Sequence, residues 1–335
     1  MSLDQDEMAP ELSVIVPVFN EAGNLRPLVE RLVPVLESCV ASYEILFIDD
    51  GSTDETLAIL RELNQSDARL RGLSFSRNFG KEVAIAAGVD AACGRGAVIM
   101  DADLQHPPEA IAAFVAKWRE GFQNIFGIRL DRDTDSAPRR WLTQQFYRMF
   151  QRFGEVRLPE GAGDFRLLDR VALDALRGLR ERARFTKGLY AWIGFKSIGV
   201  PYESAPRLTG ESKFSYRKLT HFALDGLMSF STMPLKVWTY IGTVISAFAL
   251  VSATYFLFAA LIRGVDVPGF ASLIVSVMFF AGVQMMSLGI LGEYIGRIFA
   301  EVKGRPLYLV AERIGEQSES ARPRAIFEAS ATKKV

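Results

Sequence analysis

The sequence predicts an α/β fold with a mostly parallel sheet, followed by a membrane-anchored C-terminal third. Three observations carry this. Over the first two hundred residues, short apolar runs alternate with segments of helical periodicity, the pattern of βαβ units. Two of those runs stop at paired carboxylates, Asp49 with Asp50 and Asp101 with Asp103. Two later stretches, 237–262 and 267–292, contain no charged residue, and each exceeds the roughly 20 residues that cross a bilayer.

The elements follow in order. Residues 12–18 are a continuous apolar run with Pro17 near its end, and Leu25, Leu28, Leu32 and Leu36 then mark one face of a helix. A second strand spans 43–48 and ends at Asp49 and Asp50. Gly51 gives the tight turn, and Ser52 with Glu55 predicts a capping box for the next helix. A third strand covers 70–74, a helix of small residues 79–92, and a fourth strand 97–100, which runs into Asp101, Asp103 and Gln105. Pro107 and Pro108 suit a helix start. A fifth strand is predicted over 124–128, a basic and aromatic helix over 136–153, and a strand-like FRLL that Asp164 opens.

Composition bounds the function. The chain has 335 residues, 49% of them hydrophobic, so it can bury a sizeable core and is too apolar for disorder. Lys+Arg and Asp+Glu balance at 39 each, which gives no reason to expect nucleic acid as a partner. Cys39 and Cys93 lie far apart, without metal spacing, and fit a reducing compartment. The acidic, polar start is unlike a secretory signal, so the N-terminal part is expected in the cytoplasm.

Charge also orients the two apolar stretches. Arg217, Lys218 and Lys236 precede the first, and Arg297, Lys303 and Arg305 follow the second, against Arg263 in the short connection. The pair reads as a helical hairpin with both ends cytoplasmic. Before it, Leu219, Phe222, Ala223, Leu227 and Phe230 recur at helical spacing, which suits a helix lying on the membrane surface or packed on the soluble domain. The expected divisions are a tail (1–11), a catalytic domain (12–213), a juxtamembrane region (214–236), two membrane helices (237–292) and a cytoplasmic C-terminal segment and tail (293–335).

In a parallel sheet the carboxylates after successive strands share one edge, where such folds bind ligands. Two carboxylates one residue apart suit a hard cation such as Mg²⁺ or Mn²⁺, although on that motif alone a polar turn is the commoner explanation. A dinucleotide site is excluded, since no G-x-G-x-x-G follows a strand, and no P-loop is present.

The runs VIVPVFNE, FIDDGSTDET and MDADLQHPPE, in that order, resemble the nucleotide-sugar domain of family 2 glycosyltransferases with a GT-A fold. GDFRLLDR, ERARFTKGLYAWIGF and RLTGESKFSYRKL, with two terminal membrane spans, are similar to polyprenyl-phosphate glycosyltransferases, a group that includes bactoprenol glucosyltransferases and dolichyl-phosphate mannose synthases. The resemblance implies that Pro17, Asn20, Glu21, Asp49 and Asp50 frame the nucleoside. It implies that Asp101 and Asp103 hold Mg²⁺ or Mn²⁺ against the diphosphate of a UDP- or GDP-sugar, with Gln105 completing that shell. Asp164 would stand near the acceptor as a candidate base, but a phosphate monoester has a second pKa of about 6 and is largely a dianion already. Arg129, Arg139, Arg140, Arg184, Lys187, Arg207 and Lys213 supply cations for the acceptor phosphate. Arg207 and Lys213 fall in R-x-x-G-x-S-K and are assigned the strongest roles.

The reaction implied is inverting transfer of a sugar to a polyprenyl phosphate of undecaprenyl or dolichyl type at the cytoplasmic membrane face. A second copy of the chain and a lipid-sugar flippase are further candidate partners. A processive polysaccharide synthase is the rival enzyme, though no Q-x-x-R-W occurs; a non-catalytic nucleotide-sugar scaffold is the rival outside enzymes. Trp192 and Phe195 are expected in the core.

Overall fold

The computed structural model describes residues 9–130, 162–182, 184–203, 233–263 and 269–315. Among them, β1 (Leu12–Val18), β2 (Tyr43–Asp49), β3 (Leu70–Phe75), β4 (Gly96–Ile99), β5 (Asn124–Arg129), β6 (Ala162–Asp169), β7 (Ser197–Tyr202) and β8 (Val310–Ile314) form one sheet in the order β7-β5-β6-β4-β1-β2-β3-β8. Only β6 and β8 run against the others, so the sheet is mostly parallel, as expected.

Helices cover both faces. They are α1 (Ala22–Cys39), α2 (Thr56–Ser66), α3 (Lys81–Ala91), α4 (Ala110–Arg119), α5 (Arg170–Gly178) and α6 (Thr186–Trp192). Val14, Val16 and Val18 of β1 face the layer of α1, α2 and α4, while Ile15 faces α3, α5 and α6. Burial on both sides is why this strand reads as a continuous apolar run instead of an alternating one. On α1 the predicted stripe of Leu25, Leu28, Leu32 and Leu36 is fully buried.

Strand β1 lies between β2 and β4. The chain leaves β1 for β2 through α1 on one face and returns from β3 to β4 through α3 on the other. This is a topological switch point, and the carboxyl ends of β2 and β4 flank it.

Several local expectations are corrected. The capping box does not form: α2 begins at Thr56, Glu55 makes no capping bond, and the Ser52 hydroxyl accepts the Asn20 N–H at 2.9 Å instead. Asp164 lies within β6, not at its opening, because that strand starts at Ala162. Trp192 is 54% exposed and is not a core residue, whereas Phe195 packs partly against the layer of α3, α5 and α6. The sheet also draws its outer strand, β8, from the C-terminal segment 293–335, where no strand was expected. Arg61 grips Glu312 with two bonds of 2.8 and 2.6 Å, and Phe75 stacks on Tyr308 at 5.1 Å.

Two long helices precede β8, α7 (Met233–Arg263) and α8 (Phe270–Val302). Their exposed residues include Phe248, Val251, Phe258, Phe279, Met286 and Leu291. Among the described residues one stretch, Val275–Val302, is long and apolar enough to cross a membrane; α7 holds a shorter apolar stretch, Val237–Ser252. The expected helix over 136–153 and the juxtamembrane region up to residue 232 lie outside the described residues.

Candidate active site

The β2 end is organised by its two carboxylates. Asp49, buried, accepts the Ser74 hydroxyl at 2.7 Å and the Ser52 N–H at 3.0 Å. Asp50, also buried, accepts the backbone N–H groups of Phe79 at 2.6 Å and Gly80 at 2.9 Å, so it fixes the loop that leads into α3. Burial pushes its carboxyl above the ordinary value, and those two donors offset part of the rise. Gly51, with φ +72°, is required between them and Asn78: a Cβ there would sit 2.5 Å from the Arg77 carbonyl carbon.

Opposite this turn lies the end of β1. Asn20 has φ +55° and accepts the Thr53 N–H at 2.8 Å, so it knits two loops together and does not cap α1. Glu21 accepts the Asn24 amide at 2.6 Å and donates its own N–H to the Thr56 hydroxyl at 3.0 Å. Pro17 is partly buried in β1.

The β4 end is a second built turn. Asp101 donates its backbone N–H to His106 Nδ1 at 3.0 Å, and the imidazole stacks on Phe165 at 4.8 Å. Accepting at Nδ1 places the proton of the neutral ring on Nε2. Asp103 accepts the Gln105 N–H at 3.1 Å. Leu104 between them has φ +59°, an uncommon conformation for a bulky residue, and its buried side chain pins the turn into the core.

One cation joins the carboxylates of two strands. Lys81, the first residue of α3, places its ammonium 2.6 Å from Asp101 Oδ1, 2.9 Å from Asp101 Oδ2 and 3.2 Å from Asp164 Oδ2. Burial opposes the charge on Asp101, but Lys81 outweighs it and holds that carboxyl below the usual range. Asp164 is lowered in the same way, against burial, by Lys81, Lys187 and Arg166. Glu82 goes the other way: burial, then Asp164, raises it, and it accepts both the N–H and the hydroxyl of Thr186.

Behind them Arg166 is buried, with its guanidinium 3.5 Å from the Tyr190 ring centroid. Buried Asp164 Oδ1, Arg166 Nε and Tyr190 OH have no hydrogen-bond partner among the described residues. Such orphans are costly in a packed interior and cluster where a ligand or water completes the network.

The structure therefore brings Asp49, Asp50, Asp101, Asp103 and Gln105 to one sheet edge, with Asp164 linked to Asp101 through Lys81 and Lys187 acting on Asp164. Arg129 ends β5 and is exposed. Arg184 donates to the Leu179 carbonyl at 2.9 Å. Arg139, Arg140, Arg207 and Lys213 lie outside the described residues. Sequence reasoning missed Lys81, Glu82, His106, Arg166 and Tyr190. The signal available for Lys81 was its place near the start of the helix that follows β3.

Among the described residues no group of three or more His, Cys, Asp or Glu side chains forms a metal cage. Asp101 and Asp103 offer carboxylate oxygens only. That chemistry fits a hard divalent ion with an incomplete protein shell, closed by water and phosphate oxygens.

Comparison with known proteins identifies the family. Residues 13–177 match the model of glycosyl transferase family 2. An uncharacterized glycosyltransferase of Synechocystis sp. is 46% identical over 308 residues, covering 92% of this chain and 97% of the relative. A prophage-derived bactoprenol glucosyl transferase of Shigella flexneri is 40% identical over 308 residues, 90% of this chain and 97% of the relative. Among solved structures, glucosyl-3-phosphoglycerate synthase from Mycobacterium tuberculosis is similar at 18% identity with a TM-score of 0.44, over 67% of this chain and 81% of that one. The α/β, mostly parallel sheet is GT-A-like, and the chain belongs to glycosyl transferase family 2 and is a glycosyltransferase.

Proposed function

We propose that the chain transfers a sugar, with inversion, from a nucleotide-diphosphate sugar to a polyprenyl phosphate at the cytoplasmic face of the membrane. The observation that carries this reading is the meeting of Asp101 and Asp103 with Asp49 and Asp50 at one sheet edge, beside Asp164. Relatives named bactoprenol glucosyl transferase, about 40% identical over most of the chain, support the lipid acceptor.

An acceptor phosphate oxygen attacks the anomeric carbon, the bond from that carbon to the donor diphosphate breaks, and the nucleoside diphosphate leaves with the electron pair. Asp101 and Asp103, with Gln105 nearby, would hold Mg²⁺ or Mn²⁺, whose charge would stabilise the leaving diphosphate. Pro17, Glu21, Asp49 and Asp50 bound the nucleoside end. Asp164, kept ionised by its cationic neighbours, orients the acceptor and is the candidate base. Arg129, Arg139, Arg184, Arg207 and Lys213 are assigned to the acceptor phosphate, where fixed cations remove orientational freedom and balance charge. The two long apolar helices act as a hairpin anchor with both termini cytoplasmic, which brings the site to the lipid head group. A homo-oligomer and a lipid-sugar flippase are further partners in this reading.

The test is Asp103→Ala in membranes given radiolabelled nucleotide sugar, polyprenyl phosphate and Mg²⁺ or Mn²⁺. Transfer to lipid should be abolished with membrane insertion intact. Unchanged transfer would remove Asp103 from the metal role.

A further inference from the structure

Strands β4 and β6 are antiparallel, with Ile99 paired to Arg166, and just beyond that last pair Asp101 and Asp164 come close enough for one ammonium to reach both. Like charges brought this close repel. Lys81 relieves that repulsion, with its ammonium on both oxygens of Asp101 and on Asp164 Oδ2.

The same contacts create a conflict. A small divalent ion on Asp101 needs one of its oxygens at about 2.0–2.2 Å, and an ammonium on both oxygens contests that position. Lys81 is free to yield it. Its side chain is 42% exposed and lies at the first residue of α3, so it can swing away without unpacking a core. Asp164 stays compensated when Lys81 moves, because Arg166 and Lys187 also act on it.

We propose that Lys81 is a positioning residue that exchanges with the divalent ion: its ammonium spans Asp101 and Asp164 before the donor arrives and releases Asp101 as metal and diphosphate enter. This rests on the metal reading given above. It makes metal and donor binding cooperative, since the ion alone must evict a cation, whereas the diphosphate offers that cation new oxygens.

Mn²⁺ binding to the full chain in detergent, without nucleotide, tests the exchange through the electron paramagnetic resonance signal of the free ion. Lys81→Met should bind Mn²⁺ roughly tenfold more tightly than wild type, because the charge that competes for Asp101 is gone. Lys81→Gln should behave the same way, and Lys81→Arg should restore the wild-type affinity. If neither neutral variant binds more tightly while Asp103→Ala loses binding, the exchange is overturned and the metal reading stands. If wild type binds no Mn²⁺ even with UDP present, the metal reading falls and the exchange falls with it.

Discussion

Replacing Asp50 by Ala should destabilise the catalytic domain in the absence of any substrate. The carboxylate is 4% exposed, and its two oxygens accept the N–H groups of Phe79 and Gly80. Removing both acceptors orphans two backbone donors, each costing about 1–3 kcal/mol when buried. Phe79 and Gly80 are only partly buried, so water recovers some of this, and a total of about 2–4 kcal/mol is expected. In a folded unit of this size 1 kcal/mol moves the melting temperature by roughly 2–4 °C, which gives a fall of roughly 5–15 °C. Asp50→Asn keeps one acceptor oxygen and should lose about half as much. Thermal unfolding of the full chain in detergent, without nucleotide sugar, isolates this role from any contact with the donor. A melting temperature for Asp50→Ala within about 2 °C of wild type would show that Asp50 does not hold this loop.

Gly88→Ala should cost about 1–3 kcal/mol, because its Cβ would collide with Ile15 Cγ2 where α3 packs on β1; Gly23→Ala, in open space on α1, should be neutral or stabilising, and unfolding measurements separate the two. His106 is held neutral by burial, its pKa below the ordinary 6.5 or so. Because the unfolded chain takes up that proton first, the stability concerned is present above about pH 6.5 and lost as pH falls toward the folded value. Melting curves should therefore drop between pH 7 and 5.5, and His106→Asn should flatten that slope; parallel curves for the two proteins would contradict the assignment.

Much of the frame was legible because burial on both faces writes strands such as β1 and β4 as largely apolar runs. The edge carrying Asp49, Asp50, Asp101 and Asp103 followed from strand direction alone. What could not be read depended on which partner each polar group meets. Ser52 and Glu55 had the spacing of a capping box, but the Asn20 N–H claims the Ser52 hydroxyl from 32 residues away. Asp164 approaches Asp101 only through the reversed direction of β6, and Lys81 reaches Asp101 across 20 residues of sequence. Strand β8, VAERI, is short and charged, and its pairing with β3 after two long helices leaves no local mark. Trp192 has an apolar side chain that its neighbours leave uncovered, which periodicity over a seven-residue helix could not show.

The most direct measurement follows radiolabel from a panel of nucleotide sugars into membranes that carry the chain and polyprenyl phosphate. Label is expected in one butanol-soluble lipid, dependent on divalent metal and lost in Asp103→Ala. Label in a water-soluble polymer would point instead to a polysaccharide synthase, and donor binding with no labelled product from any sugar would contradict the transfer itself.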